Sequence, residues 1–298
     1  MSQSHISDAV RMEQYLGVWA MQPDRLEQMV AHVRGINLTA HIKQAQESMT
    51  APGFESPPLF VKDGNVAVIQ AEGTITKHGS SLSPFQGTVR MRQALRAAVH
   101  DDSIGGIMIA MDSPGGNVAG VTDLAAEVRR TAASKPVAVH AEDTMASAAY
   151  WFGVQATRVS ASPGTAVGSI GVYAIIEDWS ALYAESGVQP IIVKSGKFKG
   201  AGAKGVKIDD EQLDVLQADV DSVADLFIAD VVKGTGLSAS KVRALADGRV
   251  HLAAAARDLD LIDAVEDFDT AMRKLRSLAR PSRSAKTAAA RLKVATLT

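Results

Sequence analysis

The sequence predicts an α/β protein with parallel strand pairing, and three observations carry that prediction. From Val61 onward, short β-branched apolar runs alternate with stretches whose apolar residues fall at helical spacing. Three of the runs lead into turns of small residues, Asp112-Ser-Pro-Gly-Gly116, Thr144-Met-Ala-Ser-Ala-Ala149 and Ser195-Gly-Lys-Phe-Lys-Gly200. Hydrophobic residues make up 46% of 298, enough for a sizeable core in one large unit or two smaller ones.

The elements follow in order. Residues 1–60 read as a helical N-terminal arm and linker, or equally as an extra helix packed on the core. Leu26, Met29, Val30 and Val33 have helical spacing after Pro23, Gly35 is expected to stop that helix, and Gly53, Pro57 and Pro58 mark the linker. Residues 61–270 form the main domain. Val66–Ala71 reads as a buried strand, Gly79–Gly87 as a mobile loop, and Thr88–Val99 as a helix turning Val89, Leu95 and Val99 inward. Ile104–Met111 is the next strand, Val121–Ala133 a helix, Pro136–His140 a strand, Met145–Val154 a short helix and Arg158–Ser162 a strand. Val188–Val193 is the last clear strand before a glycine-rich loop. Asp209 then opens a long helix as its N-cap, with Gln212 three residues on as the reciprocal partner and a stripe of Leu213, Leu216, Val220, Val223 and Phe227. Gly248–Val250 and Leu252–Ile262 supply a final strand and helix. Residues 271–298 hold a helix end and a tail whose Pro281–Thr298 stretch has four basic and no acidic residues, a composition that predicts disorder.

Composition excludes several functions. Lys+Arg 31 against Asp+Glu 33 leaves a net charge of −2, so no global field favours nucleic acid over a whole face. With no cysteine there is no disulfide, thiol nucleophile or thiolate metal site. The seven histidines show no metal-ligand spacing, and neither a metal nor a cofactor is expected. No 18-residue apolar window predicts a membrane span. His5, Asp8, Arg11 and Glu13 interrupt the stretch a signal peptide would need, so a cytoplasmic protein is expected.

Each small-residue turn is ambiguous alone. The glycines at 115 and 116 let backbone N–H groups approach a ligand, where they could hold an oxyanion, yet Pro-Gly-Gly is more often only a turn. Ser147 at a helix start is either an ordinary cap or a serine open to a cleft. Lys197 and Lys199 flank Phe198; a desolvated lysine can act as a base, while exposed loop lysines are the default. Gly200-Ala-Gly-Ala-Lys-Gly205 matches the dinucleotide fingerprint formally but does not open a helix directly, since Val206, Lys207 and Ile208 intervene. His140 ends a strand and reads as a satisfied core or rim residue.

In this order the turns resemble the signal-peptide-peptidase-A family of serine peptidases, on the Clp-protease/crotonase fold with its repeated β-β-α superhelix. The matching pieces are Met111–Gly116, Met145–Tyr150, Val167–Val172, Ser195–Lys199, and the ending Gly248–Val250 with Leu261–Asp263. The resemblance covers about residues 62–266 and implies a Ser/Lys dyad, with Ser147 as nucleophile and Lys199, the lysine after the aromatic residue, as general base. It implies oxyanion donors at Gly116 and Ala148, and a lysine-orienting role for Ser169. Lys199 is expected to be buried beside Phe198. The piece Tyr15–Pro23 is similar to phage head-maturation proteases of the minor capsid protein C branch, which implies cleavage of scaffold, portal or capsid proteins in the host cytoplasm or the assembling head. The family's rings imply a homo-oligomer. The alternatives are a bacterial peptide-degrading peptidase of the same family, a crotonase-like acyl-thioester enzyme and a non-catalytic capsid component.

Overall fold

The computed structural model describes residues 18–21, scattered positions between 25 and 47, 57–79 and 86–279. The expected turn tip at 80–85 and the basic tail lie outside the described residues. The chain divides into two compact units, a smaller one of Val172–Leu226 with the N-terminal residues through Trp19, and a larger one of Ala20–Gly171 with Phe227–Thr298.

The larger unit is the parallel α/β core that the sequence predicts. Its strands are β1 (Trp19–Met21, shared with the smaller unit), β2 (Val61–Asp63), β3 (Val66–Glu72), β4 (Ile75–Thr76), β5 (Gln86–Gly87), β6 (Gly106–Ser113), β7 (Gly115–Asn117), β8 (Val137–Ala146), β9 (Arg158–Ala161), β10 (Ala166–Gly168), β11 (Val250–Leu252) and β12 (Ala264–Val265). The main sheet runs β11-β10-β8-β6-β3-β2, with β9 also paired to β8, and β12 to β9. The β3–β6, β6–β8, β8–β9 and β8–β10 pairs are all parallel. Helices α1 (Thr88–His100) and α2 (Val121–Ser134) follow β5 and β7, so strand, short strand and helix recur twice in sequence. Such crossovers are what parallel pairing requires.

Both faces of the sheet are covered, which is why its strands read as nearly continuous apolar runs. Val66, Met108 and Ala138 pack against Ala271, Met272 and Leu275 of the C-terminal helix α8 (Phe268–Leu278). Ile107 and Ile109 alternate to the opposite face and are fully buried there. Gly106 lies under α8, where a Cβ would approach the Leu275 side chain to 3.2 Å. Helix α8 starts where it does because the Asp267 carboxylate accepts the Thr270 N–H at 2.7 Å. The inward stripe of α1 is Thr88, Met91, Ala94, Leu95 and Ala98, one position off the expected Val89 and Val99, which are only half-buried.

Gly35 is itself still helical and the chain is out of the helix at Asn37, so the expected stop falls within two residues of Gly35. Several expectations need correction. Strand β8 does not stop at His140 but runs to Ala146; Glu142 and Asp143, which break the apolar run, are simply exposed on it. The short helix after it, α3 (Ala148–Gly153), therefore starts directly on the strand end. The final helix is shorter than Leu252–Ile262, since α7 covers Ala253–Asp258.

The smaller unit contains α4 (Ser180–Glu185) and most of α5 (Asp210–Thr235), which crosses into the larger unit after Leu226. The reciprocal cap is present: Gln212 N–H donates to Asp209 Oδ1 at 2.8 Å and Asp209 N–H to Gln212 Oε1 at 3.4 Å. The stripe is buried only at its end, for Leu213 is exposed while Phe227 is fully covered. Val188–Val193 is not a strand, because the segment joins no ladder. Ile191 and Val193 are 85% and 97% exposed. Apolar β-branched residues make a strand only where a partner edge offers hydrogen bonds. Helix α6 (Ala239–Leu245) completes the larger unit's helices before α7.

Candidate active site

The parallel sheet delivers three turns of the larger unit to one place. β8 ends at Ala146, paired in register with Gly168 at the end of β10, so Ser147 and Ser169 leave adjacent strands side by side. The Ser147 N–H donates to the Gly168 carbonyl at 2.7 Å. The Ser169 N–H in turn donates to the Arg249 carbonyl at 2.7 Å. On the other side, β6 pairs Ser113 with Met145, which brings the Ser113–Gly116 turn against the same strand end.

Ser147 sits in a rare backbone conformation, φ +56° and ψ −120°, on the sharp passage from strand to helix. An L-residue holds a positive φ only where its surroundings over-determine it, and such strain gathers at functional sites. Its carbonyl accepts the Trp151 N–H at 2.9 Å, but its hydroxyl makes no capping bond to α3. The reading of Ser147 as an ordinary helix cap therefore fails on geometry. Ala148, the first residue of α3, is fully buried behind it. Ser169 has φ +51° and is buried.

The glycine pair is required twice over. Gly115 has φ +98°, and a Cβ there would lie 2.9 Å from Ser147 Cβ and collide with the Ala20 carbonyl oxygen. A Cβ on Gly116 would run into the Ile75 backbone. Ser113 shapes the turn, its hydroxyl donating to the Gly73 carbonyl at 2.6 Å and accepting the Gly115 N–H at 3.2 Å. Sequence reasoning singled out both glycines as a flexible turn but did not anticipate that Gly115 abuts the serine. The doubled glycine was the available signal.

Electrostatics near the turn are acidic. Burial first, then the charges of Asp143 and Glu72, raise the Asp112 carboxyl above its ordinary range. His140, upstream on β8, is fully buried with its ring nitrogens 2.9 Å from Ser160 Oγ and 3.3 Å from Ser162 Oγ. It is a satisfied core residue.

Lys199 belongs to the smaller unit. Its N–H donates to the Gly196 carbonyl at 3.1 Å in a tight turn, and its side chain is exposed. The expected burial beside Phe198 is not present. Phe198 is 38% exposed, and its ring is approached by Lys197, 5.4 Å from the centroid, which also pairs with Glu211. Val188–Val193, just before this turn, joins no ladder. The structure thus brings together Ser147, Ala148, Ser169 and the Gly115–Gly116 turn, and places Lys199 in a separate unit.

No helix among the described residues is long and apolar enough to cross a membrane. Compared with known proteins, the chain is 29% identical to capsid assembly protease C of Escherichia phage lambda, over 70% of this chain and 49% of that protein. It is also 29% identical to protease 4 of Haemophilus influenzae, over 72% of this chain and 34% of that protein. The chain thus spans about half the length of the first relative and a third of the second. Among solved structures, a ClpP1 mutant of Listeria monocytogenes aligns over 68% of this chain and 94% of its own at 13% identity, with a TM-score of 0.45. The model of Peptidase family S49 matches residues 129–281, a span that holds Ser147, Ser169 and Lys199 and is more than half of the chain. The chain belongs to peptidase family S49.

Proposed function

We propose that the protein is an ATP-independent serine endopeptidase with a Ser/Lys dyad. The observation that carries this reading is Ser147 itself, a serine strained to φ +56° whose hydroxyl is left uncommitted by the helix it precedes. In the reaction, neutral Lys199 takes the proton of Ser147 Oγ as the oxygen attacks the scissile carbonyl. The carbonyl oxygen becomes an oxyanion, bound by the N–H groups of Gly116 and Ala148. The Gly115 N–H is already engaged by Ser113, which favours Gly116 as the donor of that turn. As the C–N bond breaks, the lysine returns the proton to the leaving amine. Water then attacks the acyl-serine with Lys199 again as base, and Ser169 orients the lysine. The domain frame of this reading is an arm at 1–60, a peptidase domain at 61–270 and a tail at 271–298.

The substrate class is protein, and the role is maturation of a phage head by cleavage of scaffold, portal or capsid protein. The similarity to a protein named as a phage capsid assembly protease supports that narrower role, while the similarity to protease 4 supports general peptide degradation. The working form is a homo-oligomer. Exposed Ile175, Val188, Ile191, Val193 and Phe198 in the smaller unit support it, since exposed large apolar side chains favour a partner surface. A monomer at micromolar concentration with full activity in light scattering overturns the oligomer.

The test of the chemistry is a fluorophosphonate probe with intact-mass readout. The chain gains one adduct located at Ser147, and Ser147→Ala gains none while hydrolysing fluorescein-labelled casein at least about a thousandfold more slowly. Activity of Ser147→Ala within tenfold of the parent removes Ser147 as nucleophile. An acyl-thioester enzyme or a non-catalytic capsid component would show no serine adduct.

A further inference from the structure

We propose that Asp230 is a positioning residue for Ser147, acting through the indole of Trp151; this rests on the reading of Ser147 as the nucleophile. Helix α3 carries Ser147 at its start and Ala148 as its first residue, yet it is only six residues long. A helix of that length has too few internal hydrogen bonds to hold itself in place, so side chains must fix it. Two do so by directional bonds. Tyr150 Oη donates to the Leu261 carbonyl at 2.9 Å, and Trp151 Nε1 donates to Asp230 Oδ2 at 2.9 Å.

The second bond is embedded in a closed ring of contacts. The Trp151 indole stacks on Phe227, with centroids 4.5 Å apart and planes within 4°. Asp230, one turn along α5 from Phe227, is buried and uses its other oxygen to accept from Lys233 Nζ at 2.9 Å, with Arg129 Nη1 at 3.5 Å. The Asp230 carbonyl accepts Gln155 Nε2 at 2.7 Å, while Gln155 Oε1 accepts Arg129 Nη1 at 2.5 Å. Gln155 Nε2 also reaches the Trp151 carbonyl at 3.4 Å, closing the ring. Every polar member of the ring is paired, which makes it rigid. The ring grips the far end of α3 from α2 and α5. The near end is gripped by the Ser147 N–H on the Gly168 carbonyl. Held at both ends, α3 keeps Ser147 in a conformation that it would otherwise leave.

Losing the indole acceptor leaves a buried N–H unpaired and loosens α3, so that its Ser147 end can shift as well. A displacement well under an ångström there moves the nucleophile and the Ala148 N–H together. The cost then falls on the chemical step rather than on binding.

The experiment uses the full chain and compares Asp230→Ala, Asp230→Asn and Trp151→Phe. The readouts are the rate of fluorophosphonate labelling at Ser147, and kcat and KM on fluorescein-labelled casein, with near-UV circular dichroism as the check on folding. Asp230→Ala is expected to slow labelling and kcat by about tenfold or more, with KM changed less than about twofold. Asp230→Asn, whose amide oxygen still accepts the indole N–H, should recover most of the loss. Trp151→Phe should add little on top of Asp230→Ala, because both remove the same bond. Wild-type labelling in folded Asp230→Ala, or an Asp230→Asn variant as slow as the alanine, overturns the proposal. If Asp230→Ala does not fold, Trp151→Phe against Asp230→Asn tests the same bond, and equal labelling rates in those two overturn it. Failure of the underlying reading looks different: the parent chain itself takes no adduct at Ser147.

Discussion

Ser147 and Lys199 lie in regions of opposite character. Around Ser147 the chain is buried, every neighbouring turn is locked by hydrogen bonds or by the need for glycine, and the serine carries backbone strain that those neighbours sustain. Around Lys199 the chain is a succession of tight turns in which Phe198 and the lysine are exposed and Ala201, Ala203 and Val206 only half-buried. A nucleophile needs a fixed direction of attack and a fixed oxyanion site, which a packed sheet edge provides. The difference teaches that the described contacts fix the serine turn from all sides and leave the lysine turn open to water.

The sharpest test of that contrast is substitution at the two lysines. Lys199→Arg should be as damaging as Lys199→Ala, about a hundredfold to ten-thousandfold in kcat, because a guanidinium cannot give up its proton in the working pH range. Lys197→Arg should retain activity within a few-fold, since its partner Glu211 can pair with either cation. Steady-state rates on labelled casein decide it. Near-normal turnover with arginine at 199, or collapse only with arginine at 197, reverses the assignment of the base.

The same contrast explains what the sequence disclosed. The core strands were legible because burial on both faces writes an apolar run directly into the chain, as in Gly106–Met111. The start of α5 was legible because a reciprocal cap is a local bargain between Asp209 and Gln212. The strand assigned to Val188–Val193 failed because β-branched residues report a preference and not a partner. The end of β8 was lost at Glu142 and Asp143, where two exposed charges interrupt a strand that the backbone continues. At the site, small-residue turns marked Ser147 and the glycine pair, whereas the positive φ of Ser147 and the contact with Gly115 come from tertiary register. Asp230 carried no local signal at all, since it meets Trp151 across 79 positions of sequence.

A smaller effect tests whether the serine side is as tightly built as its contacts imply. Gly115→Ala places a methyl group at φ +98°, against the Ala20 carbonyl and within 2.9 Å of Ser147 Cβ. The strain alone should cost about 1–3 kcal/mol of stability, read from urea unfolding, and labelling at Ser147 should slow in parallel. In the lysine turn, alanine at Gly196 meets open space and should change stability little. Equal losses at the two glycines would show that the regions do not differ in rigidity.

The smallest effect is a pH dependence that should map to the serine side alone. Burial lowers the affinity of His140 for its second proton, and the charges of Glu142, Glu266 and Asp267 only partly oppose this. Its neighbours Ser160 and Ser162 are neutral hydroxyls, so no facing carboxylate bonds to the ring. The unfolded chain therefore binds the proton more readily than the folded one, beginning near the ordinary histidine value of about 6.5. Stability contributed by keeping His140 neutral is fully present above that pH and declines as pH falls through it. His140→Gln should be less stable than the parent at pH 7, having lost a well-fitted ring, yet its stability should fall less between pH 7 and pH 5. Chemical denaturation at several pH values gives both slopes. Parallel slopes for parent and variant would mean that His140 titrates alike in the folded and unfolded chain, and that burial on β8 does not govern the acid sensitivity of the serine side.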